Sequence, residues 1–226
     1  IQMLGFRGRH QLYFELCDII MKPIFSGNSD YNKSAFVNWR TTRHDNIQNM
    51  LVLAKGFLLS SIELAKTSLS NNSDKKADIL IFPILANANH GIELYLKAFV
   101  WTLNKLLRSQ YNIEGRHNIK QILDTVQAKL TEYKDKDALN YFNNHCKELL
   151  NYIDELYIKI QAIPKQDKMD FSRYPIDDKY KNHFYIDELE NVEVDLENFI
   201  SRFQIILDTL DEIVSYFLDQ ELNQNG

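Results

Sequence analysis

The chain has 226 residues, 45% of them hydrophobic and 25% charged, which supplies enough apolar chain for a sizeable core and excludes disorder over most of its length. Seven glycines and four prolines are roughly 5% of the residues, against about 12% in an average protein; that scarcity excludes turn-dense sandwiches and barrels and favours long helices. The net charge of −5 excludes a protein that coats nucleic acid through bulk charge.

Taken in chain order, residues 1–44 form a basic extension, with six Lys/Arg against three acids. A first helix is predicted over about 9–22, stopped at Lys22-Pro23 because proline disfavours helix in the residue before it. Ser26-Gly27-Asn28-Ser29-Asp30 reads as a loop. From about Asp45 to Leu69, Ile47, Leu51, Ala54, Leu58, Ile62 and Ala65 recur at spacings of three and four, one helical face. Ser70 to Asp74 closes that helix with residues that compete for backbone hydrogen bonds. A helix from about Ile79 to Ser109 carries a buried stripe of Leu85, Ala88, Ile92, Leu96, Phe99, Leu103 and Leu106, with Pro83 in its first turn or at a kink.

After the loop Tyr111 to Arg116, helices are predicted from Asn118 to about Thr131 and from about Asp137 to Ala162, the second ended by Ile163-Pro164. Residues 163–190 look irregular but hold Phe171, Tyr174, Tyr180, Phe184 and Tyr185, too aromatic for disorder, so this segment is expected to pack over the helices. A last helix begins at Asp195, a side chain suited to capping, and repeats apolar residues from Leu196 to Phe217 at about 3.5 residues, the seam of a bundle or of a dimer contact. The expected fold is a single all-α domain over 1–226, an antiparallel bundle of five or six helices with one long aromatic-rich loop before the last.

The charge is unevenly spread. Residues 185–226 hold eleven acids and only Arg202, so phosphate contacts belong to the rest of the chain. These acids read either as the solvated face of a terminal helix or as a docking surface for a basic partner. Cys17 and Cys146 have neither metal nor redox spacing, no segment resembles a secretion signal, and the longest apolar run, Ile79 to Ala86, falls short of the ~18–20 residues that span a bilayer. The expectation is a cytoplasmic chain with reduced thiols, no membrane partner, no bulk DNA binding, no cofactor and no metal.

Three groups of residues are candidates for chemistry. His90, Glu93 and Lys97 form a polar line at spacings of three and four on an otherwise apolar helix, and the mid-helix Gly91 costs about 1 kcal/mol relative to Ala, which implies a backbone packed close against it. The line is either an ordinary Glu93–Lys97 ion pair with a bonded histidine or one wall of a polar cleft. Gly115-Arg116-His117-Asn118 stands at a helix start, where Arg116 and His117 favour an anion, or where Asn118 simply caps the helix. Arg173 and Tyr174 stand in Phe171-Ser172-Arg173-Tyr174-Pro175, where the arginine either pairs with a carboxylate of the bundle or serves a ligand. No glycine-rich phosphate loop, His-Glu-x-x-His or Gly-x-Ser-x-Gly is present.

Three of these segments, in order, resemble the HEPN superfamily (higher eukaryotes and prokaryotes nucleotide-binding domain) over about residues 79–222: His90 to Ala98 with its acid and lysine, Gly115-Arg116-His117-Asn118-Ile119 with Leu123, and Ser172-Arg173-Tyr174-Pro175 ahead of a final long helix. The resemblance implies a helical bundle that commonly dimerises and binds RNA, a nucleotide or a partner protein in prokaryotic defence or toxin–antitoxin systems. Many members are metal-independent ribonucleases marked by Arg, four to six residues, then His. That spacing is missing here: Arg7 and His10 are separated by two residues, Arg40 and His44 by three, Arg108 and His117 by eight, Arg173 and His183 by nine. Arg40/His44 approaches it only if the pair lies on one helix. The resemblance therefore implies a non-catalytic or degenerate HEPN-like module with binding residues His90, Glu93, Lys97, Arg116, His117, Arg173 and Tyr174. The alternative is a ribonuclease whose Arg116, His117 and Arg173 form a composite site in a homodimer.

Overall fold

A computed structural model describes residues 22–110, 117–160 and 169–223. The chain separates into two compact units after Trp39. In the first, the described residues form a loop around a short 3-10 turn, Tyr31–Lys33, capped by the Asp30 side chain and followed by the ring series Tyr31, Phe36 and Trp39. The helix expected over 9–22, with Cys17, lies outside the described residues.

The second unit is all-α. Its helices are α1 (Asn46–Ser70), α2 (Ala77–Leu106), α3 (Ile119–His145), α4 (Lys147–Lys159), the single-turn α5 (Phe184–Asp187) and α6 (Leu196–Tyr216). Strands are absent among the described residues; one isolated bridge joins Ile176 and Asn182. The starts follow capping chemistry: Asp45, Asn118 and Asp195 each accept a backbone N–H three residues on.

Helix α2 is the axis of the fold, packing against α1, α3 and α6. Its stripe of Ala88, Ile92, Tyr95, Leu96, Phe99 and Leu103 is buried in the core with Leu58 and Ile62 of α1, Phe142 of α3 and Leu210 of α6. Gly91 explains the closest approach. A Cβ there would stand 2.7 Å from Leu58 Cγ, 3.0 Å from Leu58 N and 3.1 Å from Ala54 O, so only glycine lets the α1 and α2 backbones meet. Pro83 sits inside α2 rather than in its first turn; the carbonyl of Ile79, deprived of its helical donor, belongs to an exposed residue that water reaches.

Two boundaries differ from the sequence reading. Residues 131–137 do not break the helix: α3 runs unbroken to His145, because that stretch holds no glycine or proline and a charged surface segment stays helical without an apolar face. The break falls instead at Cys146, whose backbone leaves helical geometry (φ −93°, ψ 27°) and divides α3 from α4. Burial pushes its thiol up to about 12. Arg40 and His44 precede α1 in irregular chain, so no helical face unites them.

The described part of the aromatic segment packs over the helices through Phe171, Phe184 and Tyr185, while Tyr174 and Tyr180 are exposed. Phe171 is buried, the Tyr185 ring lies 5.3 Å from that of Phe82 on α2, and the Tyr185 hydroxyl donates to the carbonyls of Phe171 and Tyr174. The acids of α6 are largely engaged within the unit. Asp211 accepts from Lys55 and Tyr95, and Glu212 faces His145. Beyond α6, the π-helical turn Phe217–Leu222 brings Glu221 to Tyr133 and Lys134. Helices α1 and α2 are, by length and composition alone, apolar enough to cross a membrane, a criterion that the core helices of soluble proteins also pass. The eight-residue count missed this because polar residues interrupt both helices at intervals.

Candidate functional site

A cleft of about 240 Å³ opens at one side of α2. Asn89, His90 and Glu93 of α2 line it with Phe57 of α1, His117 and Ile119 at the start of α3, and Ser172 and Arg173 of the 3-10 turn Met169–Ser172 and its edge. Three segments that are far apart in sequence thus meet here, because α2 carries α1, α3 and the turn on adjoining faces.

Glu93 is the hub. Its Oε1 accepts from Lys97 Nζ at 2.7 Å and stands 3.0 Å from His117 Nδ1, while Oε2 lies 3.7 Å from His90 Nδ1. Burial pushes the Glu93 carboxyl up, but hydrogen bonds from His90, Lys97 and His117 and the Lys97 charge outweigh it and hold it down at about 2. Lys97 neutralises this carboxylate from inside the protein, its side chain only 13% exposed. What remains to face a ligand is Arg173 and the two imidazoles.

Both sequence-level readings of the α2 line hold at once. Glu93 and Lys97 are an ion pair, and His90 is partly tied down, its ring edge-on to Phe57 at 4.5 Å, yet the line also walls a cleft. At α3 the structure shows the capping reading. Asn118 is buried and caps the helix, accepting from Gln121 N and from the Tyr157 hydroxyl, and this cap turns the preceding His117 toward Glu93. The Lys120 amide already donates to Tyr157. The start of α3 therefore keeps few free backbone donors.

Arg173 makes no ion pair among the described residues, contrary to the reading that seats it on a bundle carboxylate. Its turn is held from behind: Arg173 N and Tyr174 N both donate to Asp170 O, and the Tyr185 hydroxyl grips both sides of it. Tyr174 does not line the cleft and is exposed, Lys97 acts through Glu93, and Arg116 lies outside the described residues. Sequence reasoning missed Asn89, Ser172 and Phe57. Asn87 and Asn89, two amides in an apolar helix, were the available signal for this face. Among the described residues no group of three His, Cys, Asp or Glu side chains is placed to hold a metal ion. No protein-family model, curated protein or solved structure matches the chain.

Proposed function

We propose that the chain is a HEPN-like helical module that binds RNA or a nucleotide through this cleft, in the prokaryotic cytoplasmic defence or toxin–antitoxin setting that the resemblance suggests, and without catalysis. One observation carries the reading: His90, His117 and Arg173, which has no ion pair among the described residues, line the same cleft, and Glu93, the one carboxylate among its described lining residues, is already neutralised by Lys97. Arginine matches a pair of phosphate oxygens, an imidazole that takes up a proton donates to a third, and Phe57 supplies apolar area for a sugar or base. Three of the eleven acids of residues 185–226, Asp211, Glu212 and Glu221, are drawn into contacts within the helical unit.

A second reading, a metal-independent ribonuclease, is favoured by the Glu93–His117 pair. A carboxylate on Nδ1 leaves Nε2 to exchange a proton with a ligand. In that mechanism one histidine takes the proton of a 2′-hydroxyl, its oxygen bonds to the adjacent phosphorus held by Arg173, and the 5′-oxygen leaves with a proton from the other histidine. A second copy of the chain would complete such a site. Incubation of the purified chain with total RNA separates the two readings. The binding module retards RNA and leaves it intact; cleavage that is abolished in His117→Ala establishes the enzyme; neither retardation nor cleavage refutes both.

A further inference from the structure

Two residues of the cleft lining each carry a buried polar atom with no hydrogen-bond partner among the described residues: Asn89 Nδ2 and Ser172 Oγ. The parent residues are 4% and 7% exposed, so water does not satisfy them freely. An unsatisfied buried donor is costly, and a folded chain tolerates one mainly where a ligand or ion completes it.

The Asn89 amide is also oriented. Its Oδ1 accepts from the Tyr152 hydroxyl at 2.6 Å, and Tyr152 is itself buried against Phe203, with ring centroids 4.7 Å apart. Burial pushes the Tyr152 hydroxyl well above its usual range, so it stays protonated and remains the donor. With Oδ1 occupied, the free end of the amide is a donor only. Ser172 adds a hydroxyl from the turn that also carries Arg173.

We infer that Asn89 and Ser172 form the inner wall of a phosphate site, each donating to a phosphoryl oxygen whose outer oxygens face Arg173 and His117, with Tyr152 fixing the amide. The wall suits an acceptor-rich tetrahedral anion. Two neutral donors beside an exposed arginine hold phosphoryl oxygens without placing a buried charge that would need its own counter-ion. This rests on the binding reading above and adds what that reading leaves open, namely which groups touch the phosphate from within.

The test uses inorganic phosphate and a mononucleotide monophosphate as probes, with calorimetry and the side-chain amide resonances of the full chain. The wild-type Asn89 Nδ2 protons shift on saturation with phosphate. Ser172→Ala weakens phosphate binding about three- to tenfold and Asn89→Asp more than tenfold, since a carboxylate then faces the anion. Tyr152→Phe removes one hydroxyl from a well-packed ring and weakens binding severalfold, which keeps the proposal testable if Asn89→Asp fails to fold. Unmoved Asn89 resonances, with affinity lost in Arg173→Ala but retained in Ser172→Ala and Tyr152→Phe, overturn the inner wall and leave the binding reading standing. Wild-type protein that binds neither probe overturns the inner wall, and failure to retard RNA as well overturns the reading beneath it.

Discussion

Replacing Glu93 by Gln keeps the shape of the hub and removes its charge. In the wild type the carboxyl is held at about 2, against ~4.3 in an unfolded chain. A depressed carboxylate contributes stability that is fully present above the unfolded value and is lost as pH falls through the folded one. A difference of roughly two units corresponds to about 3 kcal/mol. Discounting is small because the Glu93 side chain is only 10% exposed. At pH 7, Glu93→Gln is therefore expected to unfold at a urea midpoint lower by about 1.5 M, for a slope of about 2 kcal/mol per molar. The gap between the two proteins narrows below pH 5 and closes toward pH 2, because protonated Glu93 and Gln present the same uncharged face to Lys97. Urea titrations of both proteins at pH 7, 5, 4 and 3 measure it. A gap that stays constant with pH, or that is absent at pH 7, refutes the claim that Glu93 is an ionised hub.

Gly91→Ala sets a helix-propensity gain of about 1 kcal/mol against overpacking of about 1–3 kcal/mol. Because two of the three atoms that the new Cβ meets are backbone of α1, overpacking wins and the urea midpoint falls; a rise would show that the helices separate at little cost. Asp195→Ala removes the cap bond to Asn198 N, at a cost of about 1 kcal/mol and a thermal midpoint lower by about 2–4 °C, read by circular dichroism. Cys146, buried and with its thiol pushed up to about 12, resists alkylation under native conditions and reacts on unfolding, as mass spectrometry of its peptide reports.

How far the molecule is legible in its sequence depends on the distance over which each contact acts. Periodic apolar residues located α1, α2 and α6, and Asp195 marked the start of α6, because those features are decided within one or two helical turns. Gly91 was equally readable, since an unfavoured residue in mid-helix demands a compensation, and that compensation is the α1 backbone. The split placed between Thr131 and Asp137 failed because that stretch holds no helix breaker, whereas the true break at Cys146 follows Asn143-Asn144-His145, weak helix formers that carry no glycine or proline. At the site, the types of His90, Glu93, His117 and Arg173 could be named singly. Their meeting could not, since Arg173 reaches the cleft through Phe171, Tyr185 and Phe82, contacts between segments far apart in the chain. Asn89 and Ser172 were missed for the same reason: an unsatisfied donor is visible only once its neighbours are in place.

The central claim is that one cleft, built from α2, the start of α3 and the Ser172–Arg173 turn, binds the phosphate of RNA or a nucleotide. The most direct measurement is fluorescence anisotropy of a short labelled oligoribonucleotide at near-physiological salt, with wild type, Arg173→Ala and His117→Ala compared side by side. Loss of a charged contact of about 1.5–3 kcal/mol predicts that Arg173→Ala binds at least tenfold more weakly, with His117→Ala also impaired. Binding of equal strength in all three proteins, or none in the wild type, contradicts the claim.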